Sequence, residues 1–407
     1  MIILLNDNVT KQIDKIGRNR CSIEYGDLMM FNLCTDGAVI SDDNNIEVFI
    51  DGKRKFADLL NEIEMAEKYI HMQYYIIKDD GIFSNILEAL IRKAGQGVEV
   101  RVLLDGIGGR YLKSSEIFRM KKNGIKVAVF YPSVCGLVNF QINHRNHRKV
   151  AVIDGVGYMG GFNIGDEYLG YDKRFGYWRD THFKIWGSAV KELEKSFEKD
   201  WEVAAKENIA DGKKYMEDIK KRHKGSIKAQ IIKSDYRSKV HVIRDNYLKI
   251  IYQAKKNIYI QTPYFVPDSS VMDAIRAAAL SGVEVKLMVP GSADHPCVYW
   301  ATGYYIGKVL EAGVKVYRYM GGFLHAKGLM SDGKICTFGT ANMDIRSFSL
   351  NHEINSVIYD SAFTLKMESI FLDDLNLCEE VSRYGYRCRG IVPLIKGYIF
   401  KLGGKFM

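Results

Sequence analysis

The chain is poor in the residues that break or staple a fold. Among 407 residues there are only 6 prolines, and 47% of the residues are hydrophobic. That balance excludes a disordered chain, a collagen-like repeat and a low-complexity scaffold. The seven cysteines, Cys21, Cys34, Cys135, Cys297, Cys336, Cys378 and Cys388, are scattered, odd in number and never spaced C-x-x-C. This argues against a disulfide framework and a zinc site, and for a reducing, cytosol-facing chain. Long apolar runs are missing as well: none reaches the roughly 18 residues of a membrane span, and the opening MIILLNDNV is too short for a signal peptide. No segment is expected to cross a membrane. Charge of one sign is only slightly in excess, with 58 Lys+Arg against 49 Asp+Glu and a net charge of +9. A modest basic bias suits phosphate-bearing partners without choosing between lipid headgroups and nucleic acid.

What is present is a long internal repeat with a period of about 180 residues, far beyond solenoid units and therefore a duplicated domain. Four blocks recur in order. AEKYIHMQYYII from Ala66 matches AKKNIYIQTPYFV from Ala254, and GVEVRVLLDG from Gly97 matches GVEVKLMVPG from Gly282. GIKVAVFYP from Gly124 matches GVKVYRYMG from Gly313, and HRKVAVIDGVGYMGGFNI from His147 matches HAKGLMSDGKICTFGTANM from His325. Between these β-type runs lie helical patterns, among them residues 56–69, 84–97 and 271–282. Alternating strand and helix predicts an α/β fold of two sandwich lobes, each with strands covered by helices on both faces. The expected division is an unassigned N-terminal segment 1–44, a first lobe 45–204, a charge-rich linker 205–225, a second lobe 226–380 and a basic tail 381–407.

The last matched pair carries the chemistry. His147, Lys149 and Asp154 recur as His325, Lys327 and Asp332 at identical spacing. A single His-x-Lys is ordinary surface or core filler; two at repeat-equivalent positions are not. In an extended segment His and Lys two apart share a face, so imidazole and ammonium can meet one phosphate. A turn with glycine and asparagine follows in each copy, Gly160, Gly161 and Asn163 against Gly339, Thr340 and Asn342. Glycine permits close backbone approach to an oxyanion, and the amides of Asn163 and Asn342 can donate to phosphate oxygens. Each copy then brings an acid, Asp180 after His147 and Glu353 after His325. A carboxylate bonded to one ring nitrogen fixes the tautomer and leaves the other nitrogen to attack or to carry a proton. Both acids are equally readable as surface carboxylates. The other histidines are read as structural, with His295 in the stretch DHPCVYW set apart for testing.

With these motifs the chain resembles the phospholipase D superfamily of paired HKD motifs, and within it the bacterial cardiolipin synthases. The closer likeness rests on HRNHRKVAVIDG, GGFNIGDEYLG, YWRDTHFKIWG, QTPYFVPD, DHPCVYWATGYY, GFLHAKGLMSDG and GTANMDIRSFSLNHEIN, and covers about residues 45 to 380. The resemblance implies two phospholipase D-like α/β sandwich lobes in a pseudo-twofold arrangement around one shared active site. It implies a catalytic set of His147, Lys149, Asp154, His325, Lys327 and Asp332, with Asp154 and Asp332 tending to be structural, as their odd offset along a strand also suggests. It further implies ping-pong phosphatidyl transfer between two phosphatidylglycerol molecules through a phosphatidyl-histidine, with His147 more often the nucleophile and no metal or cofactor. The expected partners are phosphatidylglycerol and an anionic membrane surface, with no nucleic acid.

Other functions fit the motif pair. With water as acceptor the same site is a phospholipase, related sites cleave nucleic acid, and a phosphate-binding module without turnover is a third reading; degenerate copies usually lose a His or Lys, and neither copy here has. Members of this family usually begin with two transmembrane helices, and this sequence shows none. Attachment is therefore expected to be peripheral on the cytoplasmic side of the cell membrane, unless such helices are missing from this chain. The tail offers a means. Arg383, Arg387, Arg389, Lys396, Lys401 and Lys405 stand there without an acidic residue, and Leu394, Ile395, Tyr398, Ile399 and Leu402 recur at helical spacing after Pro393. That predicts either a membrane-contacting amphipathic helix or a short helix packed on the second lobe.

Overall fold

A computed structural model describes residues 7–17, 22–132, 143–209, 215 and 225–402. Cys21, Cys135, His223, Lys405 and most of the expected linker lie outside the described residues. The chain forms two compact units: Ser41–Ser226 with Asn351–Glu353, here the first unit, and Met1–Ile40, Ile227–Leu350 and Ile354–Met407, the second. The chain opens with helices α1 (Asp7–Gly17) and α2 (Ser22–Asp36).

The first unit is a seven-stranded sheet of β1 (Ser41–Phe49), β2 (Tyr69–Tyr74), β3 (Glu99–Asp105), β4 (Lys126–Phe130), β5 (Val150–Ile153), β6 (Val156–Gly160) and β7 (His182–Trp186), in the order β1-β7-β6-β5-β2-β3-β4. Strands β2, β3 and β4 are parallel, joined through α4 (Gly81–Gly95) and α5 (Ser114–Lys122), while β5 runs antiparallel to β2 and forms a hairpin with β6. Helices α3 (Gly52–Met65) and α6 (Val190–Ala205) complete the layers. Asp51 and Asp80 accept hydrogen bonds from the first-turn amides of α3 and α4, capping amides left without an intrahelical partner. Gly97, at φ +89°, takes the chain from α4 into β3 in a left-handed conformation that a side chain would strain.

The second unit repeats this plan. Its strands β8 (Ile227–Ser234), β9 (Asn257–Gln261), β10 (Glu284–Pro290), β11 (Lys315–Tyr319), β12 (Gly328–Ser331), β13 (Ile335–Gly339), β14 (Glu353–Ile358) and β15 (Cys378–Glu380) lie in the order β15-β11-β10-β9-β12-β13-β14-β8. The parallel set is again the first three strands of the repeat, β9, β10 and β11, and β12 and β13 form the matching hairpin. Its longer helices and those of the tail are α7 (Val242–Gln253), α8 (Ser269–Leu280), α9 (Pro296–Glu311), α10 (Ser361–Leu375), α11 (Arg383–Arg387) and α12 (Ile391–Leu402), and a single helical turn spans Ile345–Ser349. Gly282, at φ +92°, stands where Gly97 stands in the first unit.

Three expected boundaries move. The N-terminal segment ends at Ile40 rather than residue 44, and it is a built part of the second unit: Leu28, Met29 and Leu33 are buried in that core, and Asn32 donates to Gln230 and Tyr359. The region 205–225 is not a bare spacer, because Tyr215 is buried against Tyr69 and His71, donates to Glu99 and accepts from Arg101. The tail is folded into the second unit through α9 rather than standing apart. No helix among the described residues is long and apolar enough to cross a membrane.

Candidate active site

In both units the His-x-Lys pair lies in extended chain immediately before the first strand of the antiparallel hairpin. In the first unit His147, Lys149 and Asn163 gather around Tyr75 and Ile76, which follow β2. The ring of Tyr75 stands edge-on to His147 at 5.0 Å, and Lys149 Nζ lies 5.2 Å from the Tyr75 centroid. The Ile76 amide donates to Asn163 Oδ1 at 3.0 Å, and Asn163 Nδ2 donates to Tyr168 Oη at 3.1 Å. Lys149, fully buried, donates to the carbonyl oxygen of His147 at 2.6 Å, which holds its ammonium close under the histidine.

The carboxylate at His147 is not the one expected. Glu353 was assigned by sequence to the second copy and its His325; in the structure its Oε2 and Oε1 lie 2.9 and 3.0 Å from His147 Nδ1. The cause is a local strand pairing. His147 N donates to His352 O at 2.9 Å and His352 N to Arg145 O at 2.8 Å, so Asn351–Glu353 belongs to the first unit. Glu353 is fully buried, and Asn351 Nδ2 donates to it at 3.2 Å. Beneath the histidine, Arg148 donates to Glu353 O, Ser196 and Asp200, while Asn146 and Gln73 also donate to Asp200. Burial alone would raise the Asp200 carboxyl, yet Arg148 and these hydrogen bonds hold it below its ordinary range. Asp180 is also buried, but its Oδ1 accepts from the Thr181 amide at 2.7 Å, and it is Glu353, not Asp180, that faces His147 Nδ1.

In the second unit Lys327 Nζ lies 2.6 Å from His325 Nδ1 and also donates to His325 O. Both residues are buried. Tyr264, after β9, stands edge-on to His325 at 6.4 Å, the counterpart of Tyr75, and its hydroxyl donates to Asp294. His295 is largely exposed and meets the edge of Tyr264 at 6.1 Å. Asn342 is buried with its Oδ1 lacking a hydrogen-bond partner among the described residues, unlike Asn163 Oδ1.

Asp154 and Asp332, grouped by sequence with the catalytic set, are occupied otherwise. Neither lies on a strand: each sits at positive φ in the turn of the hairpin, +43° and +57°. Asp154 accepts from the amides of Glu67, Lys68 and Tyr69, and Asp332 from those of Lys255, Lys256 and Asn257. Each carboxylate thus pins the start of β2 or β9 to the hairpin. The glycines after the motif also serve packing: a Cβ on Gly161 would fall 1.9 Å from Asp180 Oδ1, and one on Gly339 2.2 Å from Ile354 O.

Residues 59–201 and 247–375 match the family described as cardiolipin synthase, PLD-like domain. The chain belongs to this family. A cardiolipin synthase of Oceanobacillus iheyensis is 45% identical over 381 residues, which is 93% of this chain and 79% of that protein. One from Listeria innocua is 46% identical over 354 residues, 86% of this chain and 73% of its own length. Among solved structures, phosphatidylserine synthase from Haemophilus influenzae superposes with a TM-score of 0.71 at 15% identity, over 93% of this chain and 99% of that one. At that identity the likeness is one of fold.

Reading this member of the cardiolipin synthase family from sequence missed Tyr75 and Tyr264. Both lie in the first matched block, which was used only as evidence of β-type runs. It also missed the short pairing of residues 145–147 with His352, for which the duplicated pattern holds no signal.

Proposed function

We propose that this chain is a cardiolipin synthase that moves a phosphatidyl group from one phosphatidylglycerol to the glycerol hydroxyl of another, releasing glycerol. The observation that carries the assignment of roles is the carboxylate of Glu353 at His147 Nδ1. A proton held there leaves the lone pair of Nε2 free as the nucleophile. Nε2 attacks phosphorus, a phosphorus–nitrogen bond forms, and the bond to the departing glycerol oxygen breaks. Lys327, hydrogen-bonded at His325 Nδ1, leaves the ring's own proton on Nε2; as Nε2 gives that proton to the departing oxygen, Lys327 passes one to Nδ1, so the ring stays neutral. Nε2 of His325 then takes the proton of the incoming hydroxyl and Nδ1 returns its proton to Lys327, while the hydroxyl oxygen attacks phosphorus and the phosphorus–nitrogen bond to His147 breaks. Lys149, Lys327 and the amides of Asn163 and Asn342 supply positive charge and donors to the phosphoryl oxygens as charge builds there. The enzyme acts at the membrane surface that holds its lipid substrates.

Incubating the protein with phosphatidylglycerol vesicles and resolving the lipids by mass spectrometry tests this reading. Cardiolipin and glycerol are expected in equal amounts; phosphatidic acid alone would make the protein a phospholipase instead. His147→Asn and His325→Asn should each lower turnover by roughly 10³-fold or more.

A further inference from the structure

The C-terminal helix turns several of its aliphatic side chains to solvent. Gly397 is the buried residue on the contact side, where a Cβ would stand 3.1 Å from the carbonyl oxygen of Trp300 on α9. Around it the contacts to α9 are mostly cationic and polar, with the Tyr398 ring set edge-on to Tyr304 at 6.1 Å. Lys401 donates to Tyr304 Oη at 3.1 Å, Lys396 Nζ lies 4.9 Å from the Trp300 ring centroid, and Arg389 and Tyr386 donate to Gly303 O. Aliphatic residues of the helix point to solvent: Val392, Leu394, Ile395 and Ile399 are each between 50% and 57% exposed. A helix that merely packed on the unit would bury those four side chains. Here they form an apolar face within a segment, residues 381–407, that carries six basic residues and no acidic one.

We propose that α12 is a membrane-docking surface that lies in the headgroup layer of an anionic phospholipid bilayer. An exposed apolar face in a basic setting fits that interface by both terms, insertion and charge. A second copy of the chain fits poorly, because it would bring two basic segments together. The position within the unit supports the lipid. A cavity of about 220 Å³ is lined by Arg389 and Pro393 from the tail, by Trp300 and Arg318, and by Tyr264, whose ring faces His325. Through Pro393, α12 therefore borders the cavity that Tyr264 also lines. The choice of phosphatidylglycerol as the lipid rests on the proposed function; the docking itself does not.

The test uses the 407-residue chain and vesicles of phosphatidylcholine with and without phosphatidylglycerol, at low and high salt. The protein should sediment with the anionic vesicles at low salt, and less with neutral ones. Ile395→Glu with Ile399→Glu should reduce the bound fraction at least fivefold, while turnover of short-chain phosphatidylglycerol monomers stays within twofold. A milder pair, Leu394→Ser with Ile399→Ser, should give an intermediate loss and guards against a variant that fails to fold. Unchanged vesicle binding in both pairs, or equal binding of the parent protein to neutral vesicles, overturns the proposal. So does a shift from dimer to monomer by light scattering with vesicle binding retained, since the face would then join two copies. Loss of binding in the variants with no turnover in any protein would instead count against the proposed reaction.

Discussion

At the scale of single residues, the proposed reaction divides the duplicated motif into groups that would meet the phosphate and groups that hold the chain in place. Asp154 shows the second kind: three backbone amides share one carboxylate in a left-handed turn, a position that asparagine tolerates and alanine does not. Asp154→Ala should lower stability by about 3 kcal/mol, the scale for losing several hydrogen bonds to a charged group, and Asp154→Asn should recover part of it. Urea unfolding of the three proteins checks this, and the folded fraction of each should keep its specific activity. Glu353 belongs to the first kind only through His147, so it is a positioning residue. Glu353→Gln should reduce kcat about 10- to 100-fold with little change in KM, and should move the pH profile, because an amide no longer favours the proton at Nδ1. A flat decrease at all pH values would leave Glu353 a merely structural group.

Among the elements, the strands and helices of the repeat were readable from four matched blocks, because strand period, helix period and glycine stops are local in sequence. The partners of α6 were not, since they come from distant strands. On its inner face Glu194 meets the buried His71 at 2.6 Å, and one turn on Glu198 is half-buried with Oε1 lacking a hydrogen-bond partner among the described residues. Burial, and then the charge of Glu194, push the Glu198 carboxyl up to about 7. A carboxyl raised on folding binds its proton more tightly in the native state, so stability is highest below the unfolded value and falls as pH climbs through the range from about 4.5 to 7. Glu198→Gln should therefore raise the melting temperature by about 1–2 °C at pH 8 and leave it unchanged at pH 4, as read by calorimetry. The outward turn of the aliphatic residues of α12 was equally hidden, since a periodic apolar stripe announces a face without saying which way it turns. The same holds for Asn351–Glu353, three residues that leave their own repeat to pair beside His147.

For the whole molecule, duplication within one chain allows the two histidines to diverge into unlike roles, which a dimer of identical single-motif chains cannot do. Their surroundings already differ: a carboxylate at Nδ1 of His147 and an ammonium at Nδ1 of His325. If His147 attacks and His325 handles protons, the two variants should fail at different steps. A phosphatidyl ester of p-nitrophenol separates them, because its leaving group departs without an acid. His325→Asn should then form the phosphatidyl-histidine and release p-nitrophenol in a burst equal to the enzyme present. It should stall there, since the next step needs a base to take the proton of the incoming alcohol. His147→Asn should give no burst. Peptide mass spectrometry of the stalled protein should place the adduct on His147, and chelation by EDTA should leave the burst intact, since lysines and amides carry the phosphoryl charge in this mechanism. A burst from His147→Asn with the adduct on His325 would reverse the two roles. Bursts from both variants would mean that each histidine can attack alone, and that the duplicated sites act independently rather than in turn.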